Sequence, residues 1–212
     1  MCASTNIRIL AFALLAGLSL GARAEGYFVS GDFGLNVFPN WEDAANNAVY
    51  RAGYAYSSTS QTKTSFGLGI NVGHWINPIL GWQFGYDDFG SVTGYMSYGN
   101  YFGNSFGTSY KFALTALHAE VLVKSSSGLF GKIGFYNAST QLTSPGQTIS
   151  PHSSSGMLLG LGGRQSLDNS DHLSYRFGVD FYPRVGFTDP FDFSKTTSGT
   201  ITKIYLGQDY TF

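Results

Sequence analysis

Eight segments of the chain alternate, residue by residue, between apolar side chains and polar or small ones. A period of two predicts β-strands, because successive side chains of a strand point to opposite faces. In the first segment, Val29, Phe33 and Leu35 share one face, and Ser30 and Asp32 share the other. After residue 24 we predict only strands and connections, without a helix. The predicted strands cover residues 27–37, 66–73, 80–87, 115–123, 129–136, 157–164, 173–182 and 203–212.

The charged side chains of these segments fall on the polar face, with the exception of Asp88 at the outer end of the third strand. A soluble barrel would place the apolar face inside and would need a charged exterior, whereas a membrane barrel turns the apolar face to lipid. Only 12% of the residues are charged, against ~25% in ordinary soluble domains. We therefore predict an all-β fold, an eight-stranded antiparallel transmembrane β-barrel whose polar face lines the lumen.

The connections between the predicted strands are alternately long and short. Residues 39–64, 88–111, 140–155 and 185–200 form the long connections, and residues 77–78, 125–128 and 168–171 form the short ones. Outer-membrane barrels have short periplasmic turns and long extracellular loops. The order of the connections predicts that both chain ends lie on the periplasmic side and that four long loops lie outside the cell.

The first 24 residues have the pattern of a secretory signal peptide. Arg8 precedes an apolar stretch from Ile9 to Leu20, and Ala22 and Ala24 provide the small residues of a cleavage site. The apolar stretch is too short to span a bilayer as a helix. We expect cleavage after Ala24, export, and a barrel domain over residues 25–212.

Nine charged residues fall on the predicted inner face. Unpaired charges in a narrow lumen would be costly, so acids and bases are expected to pair. One interpretation is a packed ionic plug, and the other is a gate whose pairs exchange partners to open a small pore. Glycines on the same face are expected to leave room for these side chains. The nine residues are Asp32, Asp87, Glu120, Lys132, Arg164, Arg176, Asp180, Lys203 and Asp209.

Aromatic residues are frequent in the first two predicted loops. Tyrosine mixed with Gly, Asn and Ser is typical of adaptable recognition surfaces, which makes an adhesin or a surface-ligand protein an alternative function. The other interpretation is that these rings form the interfacial girdle and pack the loops on themselves. The residues are Trp41, Tyr50, Tyr54 and Tyr56 in the first loop, and Tyr95, Tyr98, Tyr101, Phe102, Phe106 and Tyr110 in the second.

Catalytic and cofactor motifs are weak. His118 and Glu120 share a face and could act as base and orienting acid in a lipid-modifying enzyme, but that face has no nearby serine. Ser153 to Ser155 follow His152 in a predicted loop without a placed acid. The four histidines lack metal-ligand spacing, and the chain has no basic run for nucleic acid. We expect neither an enzyme, nor a cofactor, nor a nucleic-acid partner.

The segment from Gly73 to Asp87 reads GHWINPILGWQFGYD and resembles the transmembrane domain of OmpA-like outer membrane proteins, and more loosely the OmpX and Ail barrels. The family has a similar strand, an Asn-Pro turn and an aromatic-rich strand. The last residues, with Tyr210 and Phe212 on one face, are similar to the terminal signal read by the outer-membrane assembly machinery. The family's inward ionic cluster would be altered here, at Gln83, Glu120, Lys132, Arg164 and Arg176.

The resemblance implies outer-membrane lipid and the assembly machinery as partners, in the outer membrane of a Gram-negative bacterium. It also implies a structural or surface-interaction role. A small gated pore and loop-mediated binding of an extracellular ligand are the alternatives, and a lipid-modifying enzyme is the least favoured one.

Overall fold

The computed structural model describes residues 26–144, 147–148, 151–167, 172–189 and 195–212. The predicted signal peptide and its cleavage site, and the predicted turn at residues 168–171, lie outside the described residues.

The described chain forms one antiparallel sheet that closes on itself. Each long strand pairs with the next long strand along the chain, and the first pairs with the last, so that Ser30 lies opposite Asp209. The predicted eight-stranded antiparallel barrel is therefore confirmed. In chain order the elements are β1 (Tyr27–Val37), α1 (Glu42–Arg51), β2 (Tyr56–Gln61), β3 (Thr64–Trp75), β4 (Leu80–Gly99), β5 (Ser105–Lys124), β6 (Leu129–Ser144), β7 (Gln147–Thr148), β8 (His152–Ser166), β9 (Leu173–Thr188) and β10 (Thr196–Thr211). The ring consists of all the strands except the short β2 and β7.

The first and last described residues and the described short turns lie at one end of the barrel, which we call the periplasmic end. The Phe212 amide donates to the Tyr27 carbonyl over 2.9 Å, which joins the start of β1 to the end of β10. In the Asn-Pro turn, Oδ1 of Asn77 accepts hydrogen bonds from the amides of Ile79 and Leu80, at 2.9 and 2.8 Å. An Asn side chain that bonds to its own turn in this way favours a tight connection. The opposite end of the barrel is called the extracellular end.

Large apolar side chains cover the outside of the barrel near the periplasmic end. Phe66 is 78% exposed and Phe135 is 69% exposed. An apolar exterior of this kind is stable in lipid and costly in water. The predicted outward faces are thereby confirmed on all eight strands. Other members of this surface are Phe33, Leu68, Phe84, Leu117, Val121, Leu129, Leu161, Phe177 and Leu206.

Near the extracellular end the strands continue far beyond the predicted boundaries. The predicted long loop at residues 88–111 is wrong, because β4 and β5 extend to Gly99 and back from Ser105, with only five residues between them. The loops predicted at residues 140–155 and 185–200 are shortened in the same way, since β6 reaches Ser144 and β9 reaches Thr188.

The prediction without a helix is also wrong, because α1 lies in the first connection. Its core-facing residues follow a spacing of four, with Ala45 and Val49 continuing the line of Trp41 just before the helix. Oδ1 of Asn40 accepts the Glu42 amide at 3.1 Å and so caps the first turn. Among the described residues, no helix has the length and apolar character needed to cross a membrane.

Candidate functional site: the ion-paired lumen and its plug

The nine charged residues predicted to face the lumen come together inside the barrel. In the first group, Nζ of Lys203 on β10 lies 2.5 Å from Oδ1 of Asp32 on β1 and 2.6 Å from Oδ1 of Asp87 on β4. The other carboxylate oxygens also have partners. Asn71 donates to Asp32 over 3.1 Å, and the Tyr182 hydroxyl donates to Asp87 over 2.5 Å. One lysine therefore holds two carboxylates from neighbouring parts of the ring.

A second group lies around Lys132 on β6. Its Nζ lies 2.6 Å from Oδ2 of Asp180 and 3.6 Å from Oε2 of Glu120. Nε2 of Gln83 also donates to Oε2 of Glu120, over 2.8 Å. The ring of Tyr205 lies 4.7 Å from Nζ of Lys132, which places a cation against an aromatic face.

His118 joins these two groups, and the sequence analysis omitted it from the lumen network. Its Nδ1 lies 2.6 Å from Oε1 of Glu120, and its Nε2 lies 3.4 Å from Oδ2 of Asp87. Both ring nitrogens can donate only in the imidazolium form, and that form balances the excess of one acid over the bases. The signal was present, since His118 shares its strand face with Glu120, two residues away.

The arginines form a third group on the periplasmic side of the other two. Nη1 of Arg176 lies 2.9 Å from the Ser30 hydroxyl, 3.3 Å from Oε1 of Gln83 and 3.5 Å from Oδ1 of Asp209. Nε of Arg164 lies 3.1 Å from Oδ2 of Asp209. Each of the nine residues therefore has at least one partner of opposite charge within 4 Å. Gln83, which carries no charge, links the Arg176 and Glu120 groups.

Inward-facing glycines leave the space that this network occupies. A Cβ at Gly69 would lie 2.5 Å from Oδ1 of Asp32 and 2.7 Å from Nζ of Lys203. A Cβ at Gly160 would lie 2.5 Å from Cε of Lys132. These distances are shorter than real Cβ contacts, so a side chain at either position would displace the charged groups from their pairs.

An apolar plug fills the barrel on the extracellular side of the ionic groups. The ring of Trp41 lies 4.7 Å from that of Phe112 and 4.2 Å from that of Phe187, centroid to centroid. Val49 from α1 and Met96 from β4 are buried in the same cluster. Trp41 is only 5% exposed. It therefore belongs to the core, which agrees with the interpretation that the rings of this connection pack on the protein itself and not with a recognition role.

Polar contacts hold α1 against the inner face of β2. Oδ1 of Asn46 accepts from the hydroxyls of Ser57 and Thr59, the latter over 2.9 Å. Oε1 of Gln61 accepts from the Trp41 amide over 3.1 Å. Tyr110, also in the plug, is buried, and its hydroxyl has no hydrogen-bond partner among the described residues. Burial and, to a lesser degree, the Glu42 carboxylate raise the pKa of Tyr110 to about 12.

The end of β9 turns inward and covers the plug. Arg184 has a positive φ of 62°, and the pairing of β9 with β8 stops at Phe181, just before it. Beyond the turn, the Gly186 amide donates to the Ser154 hydroxyl over 3.0 Å, and its carbonyl accepts from the Thr140 hydroxyl over 2.8 Å. Phe187 is thereby brought into the apolar cluster.

A layer of apolar side chains also crosses the barrel on the periplasmic side of the arginines. Phe28 and Trp75 pack with their ring centroids 6.0 Å apart, and Leu122 and Phe130 complete the layer. The cavity between this layer and the arginines has a volume of about 10 Å³, which is about the minimum for one water molecule. Three levels of side chains, apolar, ionic and apolar, therefore occupy the lumen. A charged interior inside an apolar exterior is the arrangement of a membrane barrel and not of a soluble one. The chain has the fold of the small eight-stranded outer-membrane β-barrels.

Comparisons with known proteins give matches among solved structures only. No protein-family model and no curated protein matches the chain. Ail of Yersinia pestis is 14% identical, with 89% of this chain and 99% of that chain covered and a TM-score of 0.46. Neisserial surface protein A is 14% identical, with 88% and 97% covered and a TM-score of 0.48. OprG of Pseudomonas aeruginosa is 13% identical, with 91% and 98% covered and a TM-score of 0.46. At these values, the assignment of the barrel depends on the strand ring and the exposure pattern.

The aromatic residues of the predicted second loop lie mostly in strands of the barrel. Tyr98 on β4 stacks on Phe106 on β5 at 5.7 Å, and Tyr54 lies 4.7 Å from Tyr98. These rings pack on one another at the extracellular end. Tyr101 and Phe102, in the turn between β4 and β5, are 84% and 91% exposed. They are the most exposed residues of the predicted recognition surface.

The remaining predicted residues lie at the edges of the barrel. Tyr210 and Phe212 are each about half exposed on the outside of the periplasmic end, with their rings 5.2 Å apart. Their role as an assembly signal stays a prediction. The prediction that His152 and Ser153 to Ser155 lie in a loop is wrong, because these residues belong to β8. Within the described ranges, no group of His, Cys, Asp and Glu residues could hold a metal ion.

Proposed function

We propose that this protein is an integral outer-membrane β-barrel that does not conduct ions and that presents an extracellular surface. The observation that supports this most strongly is the occupied lumen. The ionic groups are paired, and apolar layers lie above and below them. Moving an ion through this lumen would require several charge pairs and Trp41 to leave their sites, which is costly for buried pairs.

Planar-bilayer recording of the refolded barrel tests the closed lumen. We expect no current steps for the wild type or for Arg176→Ala, because the layers above and below the arginines stay in place in the variant. The alternative is a small gated pore whose pairs exchange partners. Reproducible current steps in the wild type, or steps that appear in Arg176→Ala, would establish that alternative.

The membrane location has its own test. A folded small barrel in the membrane fraction should resist SDS until it is boiled, and should then migrate differently on a gel. Sequencing of the mature N-terminus tests the predicted cleavage after Ala24. Failure of Phe212→Ala to reach the folded form in cells, with normal refolding in detergent, is the result expected if the assembly machinery reads the C-terminal aromatics.

A role in surface interaction is favoured by Tyr101 and Phe102. Two adjacent aromatic side chains at the tip of a protruding hairpin can supply a large apolar contact area. The structure of Ail with a heparin analogue, sucrose octasulfate, shows a polyanion on a barrel of this type. Here the described extracellular charges are mixed, which favours an uncharged partner surface. They are Arg51, Lys63, Lys111, Arg184 and Lys195 on the basic side and Glu42, Asp43, Asp88 and Asp189 on the acidic side.

Adhesion of whole cells to host-cell monolayers tests this role. The double variant Tyr101→Ser with Phe102→Ser should reduce adhesion, while Tyr50→Ser, which removes an exposed ring from α1, should not. Equal adhesion by all three strains would exclude the hairpin tip as the contact site.

We also propose that the barrel is not an enzyme, since both nitrogens of His118 face carboxylates. Phospholipid hydrolysis by the refolded protein would contradict this.

A further inference from the structure

Gly31 occupies a position on the outside of β1 where nothing in the barrel requires glycine. A Cβ added there would have no neighbouring atom within 4 Å. Five of the described glycines have a positive φ, and Gly31 is not one of them. Its neighbours on the same face, Val29 and Phe33, are large. Glycine weakens a strand interior, and here neither the backbone nor the packing inside the barrel gains from it. What the missing side chain provides is open space on the lipid-facing surface.

The open space is part of a groove on the outer surface. The groove has a volume of about 650 Å³ and runs across β1, β3, β9 and β10. Phe33, Ile70 and Leu206 form its apolar walls, and Tyr175 and Tyr210 lie at its periplasmic end. Because the groove lies within the apolar band, it is continuous with the surface that contacts lipid.

Gln208 is the outward-facing amide of this groove. It is exposed on the outer face of β10 and lies directly opposite Gly31 in the strand register. No described residue hydrogen-bonds to its side chain. An amide without a partner is costly in lipid. Gln208 precedes Tyr210 by two residues on the same face, and Tyr210 belongs to the aromatic rim, so the amide lies where lipid headgroups meet acyl chains.

We propose that this groove binds one phospholipid of the periplasmic leaflet. One acyl chain lies over Gly31 between Phe33, Ile70 and Leu206, and the Gln208 amide donates a hydrogen bond to an ester carbonyl of the same lipid. The acids that border the groove, Asp32 and Asp209, point into the lumen. Among its described residues, the lining of the groove therefore offers no charge to a headgroup, and zwitterionic and anionic phospholipids should bind equally.

A second copy of the chain fits the groove less well. A stable interface needs roughly 800 Å² from each partner. At the walls of the groove, Phe33 and Leu68 project with 56% and 67% of their surface exposed. These projections confine the open space to a channel, whose shape suits a flexible chain better than another barrel wall.

Photocrosslinking to phosphatidylethanolamine with a diazirine in its acyl chain tests the site, with native mass spectrometry of the refolded barrel as a second measurement. The wild type should retain one phospholipid and crosslink in the peptides that contain Phe33 or Leu206. Gly31→Leu fills the channel and should abolish both signals. Gln208→Leu removes one hydrogen bond and should weaken binding about fivefold.

Two matched variants serve as controls. Ala119→Leu enlarges an outward residue on β5, away from the groove, and Gln165→Leu removes an exposed amide from β8 outside the lining. Both should retain the lipid, and all variants should keep the heat-modifiable gel shift of a folded barrel. The proposal would be overturned if the wild type retained no lipid, or if Gly31→Leu and Ala119→Leu retained equal amounts of it. A dimer that Gly31→Leu dissociates would assign the groove to a second copy instead.

Discussion

The two halves of strand β5 have opposite polarity. Near the periplasmic end, Leu117 and Val121 point outward and His118 and Glu120 point inward. Near the extracellular end the same strand buries Tyr110, Phe112 and Leu114, and it exposes Ser109 and Lys111. The faces of the strand do not change between the halves, since inward residues keep even numbers throughout. Only the kind of residue on each face changes.

The reversal shows that the surrounding solvent selects the residues on each face. Where the barrel is in lipid, the outside is apolar and the inside can hold charges that pair with one another. Where it extends beyond the membrane, it has the apolar interior and polar exterior of a soluble protein. We call the half near the periplasmic end the lower half and the half near the extracellular end the upper half. The lower half is therefore held by ion pairs in a confined space, and the upper half by aromatic packing. Substitutions that act on one mechanism only can separate the two halves.

Lys203→Met should have the largest effect, because it acts on the lower half. It leaves the carboxylates of Asp32 and Asp87 buried without their shared cation. Loss of one partner from a buried ion pair costs about 3–5 kcal/mol of unfolding free energy. Urea unfolding of the refolded barrel, followed by the gel shift, measures this. Lys111→Met, on the exposed outer face of β5, should change stability by less than about 0.5 kcal/mol. Equal effects of the two substitutions would show that burial of the lumen charges does not determine stability.

Trp41→Ala should have the next largest effect, and it acts on the upper half. Removing a buried Trp side chain lowers the unfolding free energy by about 3–5 kcal/mol. Here the lost contacts are those that hold α1 inside the barrel. We expect α1 to detach while the membrane-level barrel stays folded. Trypsin cleavage after Arg51, at the exposed end of α1, should become much faster than in the wild type, with an unchanged heat-modifiable gel shift. Tyr50→Ala, on the exposed side of α1, is the control. Simultaneous loss of the gel shift would mean that the two halves unfold as one unit.

The reversal of polarity also explains which parts of the fold could be predicted from sequence. On β5 the apolar residues change from the even to the odd face between Ala116 and Leu117. One continuous alternation of apolar residues ends at this point, so the pattern predicts loops where the extracellular halves of the strands lie. The helix α1 was missed although Trp41, Ala45 and Val49 follow a spacing of four.

The candidate site could be predicted in its members but not in its pairs. Strand parity places nine charged residues inside the barrel, since each would be too costly on the lipid face. Parity does not determine the stagger, that is, how far each strand is shifted along its neighbours. The stagger decides that Lys203 contacts Asp32 and Asp87, and that Asp209 contacts the two arginines. Parity also places His118 inside, beside Glu120, but only the stagger shows that its ring lies between two carboxylates.

A pair of glycine substitutions sharpens the distinction between inside and outside. Gly69→Ala places a methyl group among Asp32, Asp87 and Lys203, and overpacking of this kind costs about 2 kcal/mol. Gly31→Ala, on the neighbouring strand, adds the same group to open space on the outside and should change the unfolding free energy little or raise it slightly. Urea unfolding of both variants in the same lipid measures the difference. A destabilisation by Gly31→Ala as large as that by Gly69→Ala would refute the assignment of the faces.

Two tyrosines give the finest comparison between the halves. In the lower half, Tyr182 donates a hydrogen bond of 2.5 Å to the Asp87 carboxylate, and Tyr182→Phe should cost about 1.5 kcal/mol, as for other hydrogen bonds to charged groups. In the plug, the buried hydroxyl of Tyr110 has no partner in the described part of the chain, so Tyr110→Phe should be neutral or stabilising by up to about 1 kcal/mol. The same atom is removed in both variants, and only its surroundings differ. If both lose stability equally, the Tyr110 hydroxyl has a partner in the folded protein, and the upper half contains a polar interaction that its aromatic packing does not show.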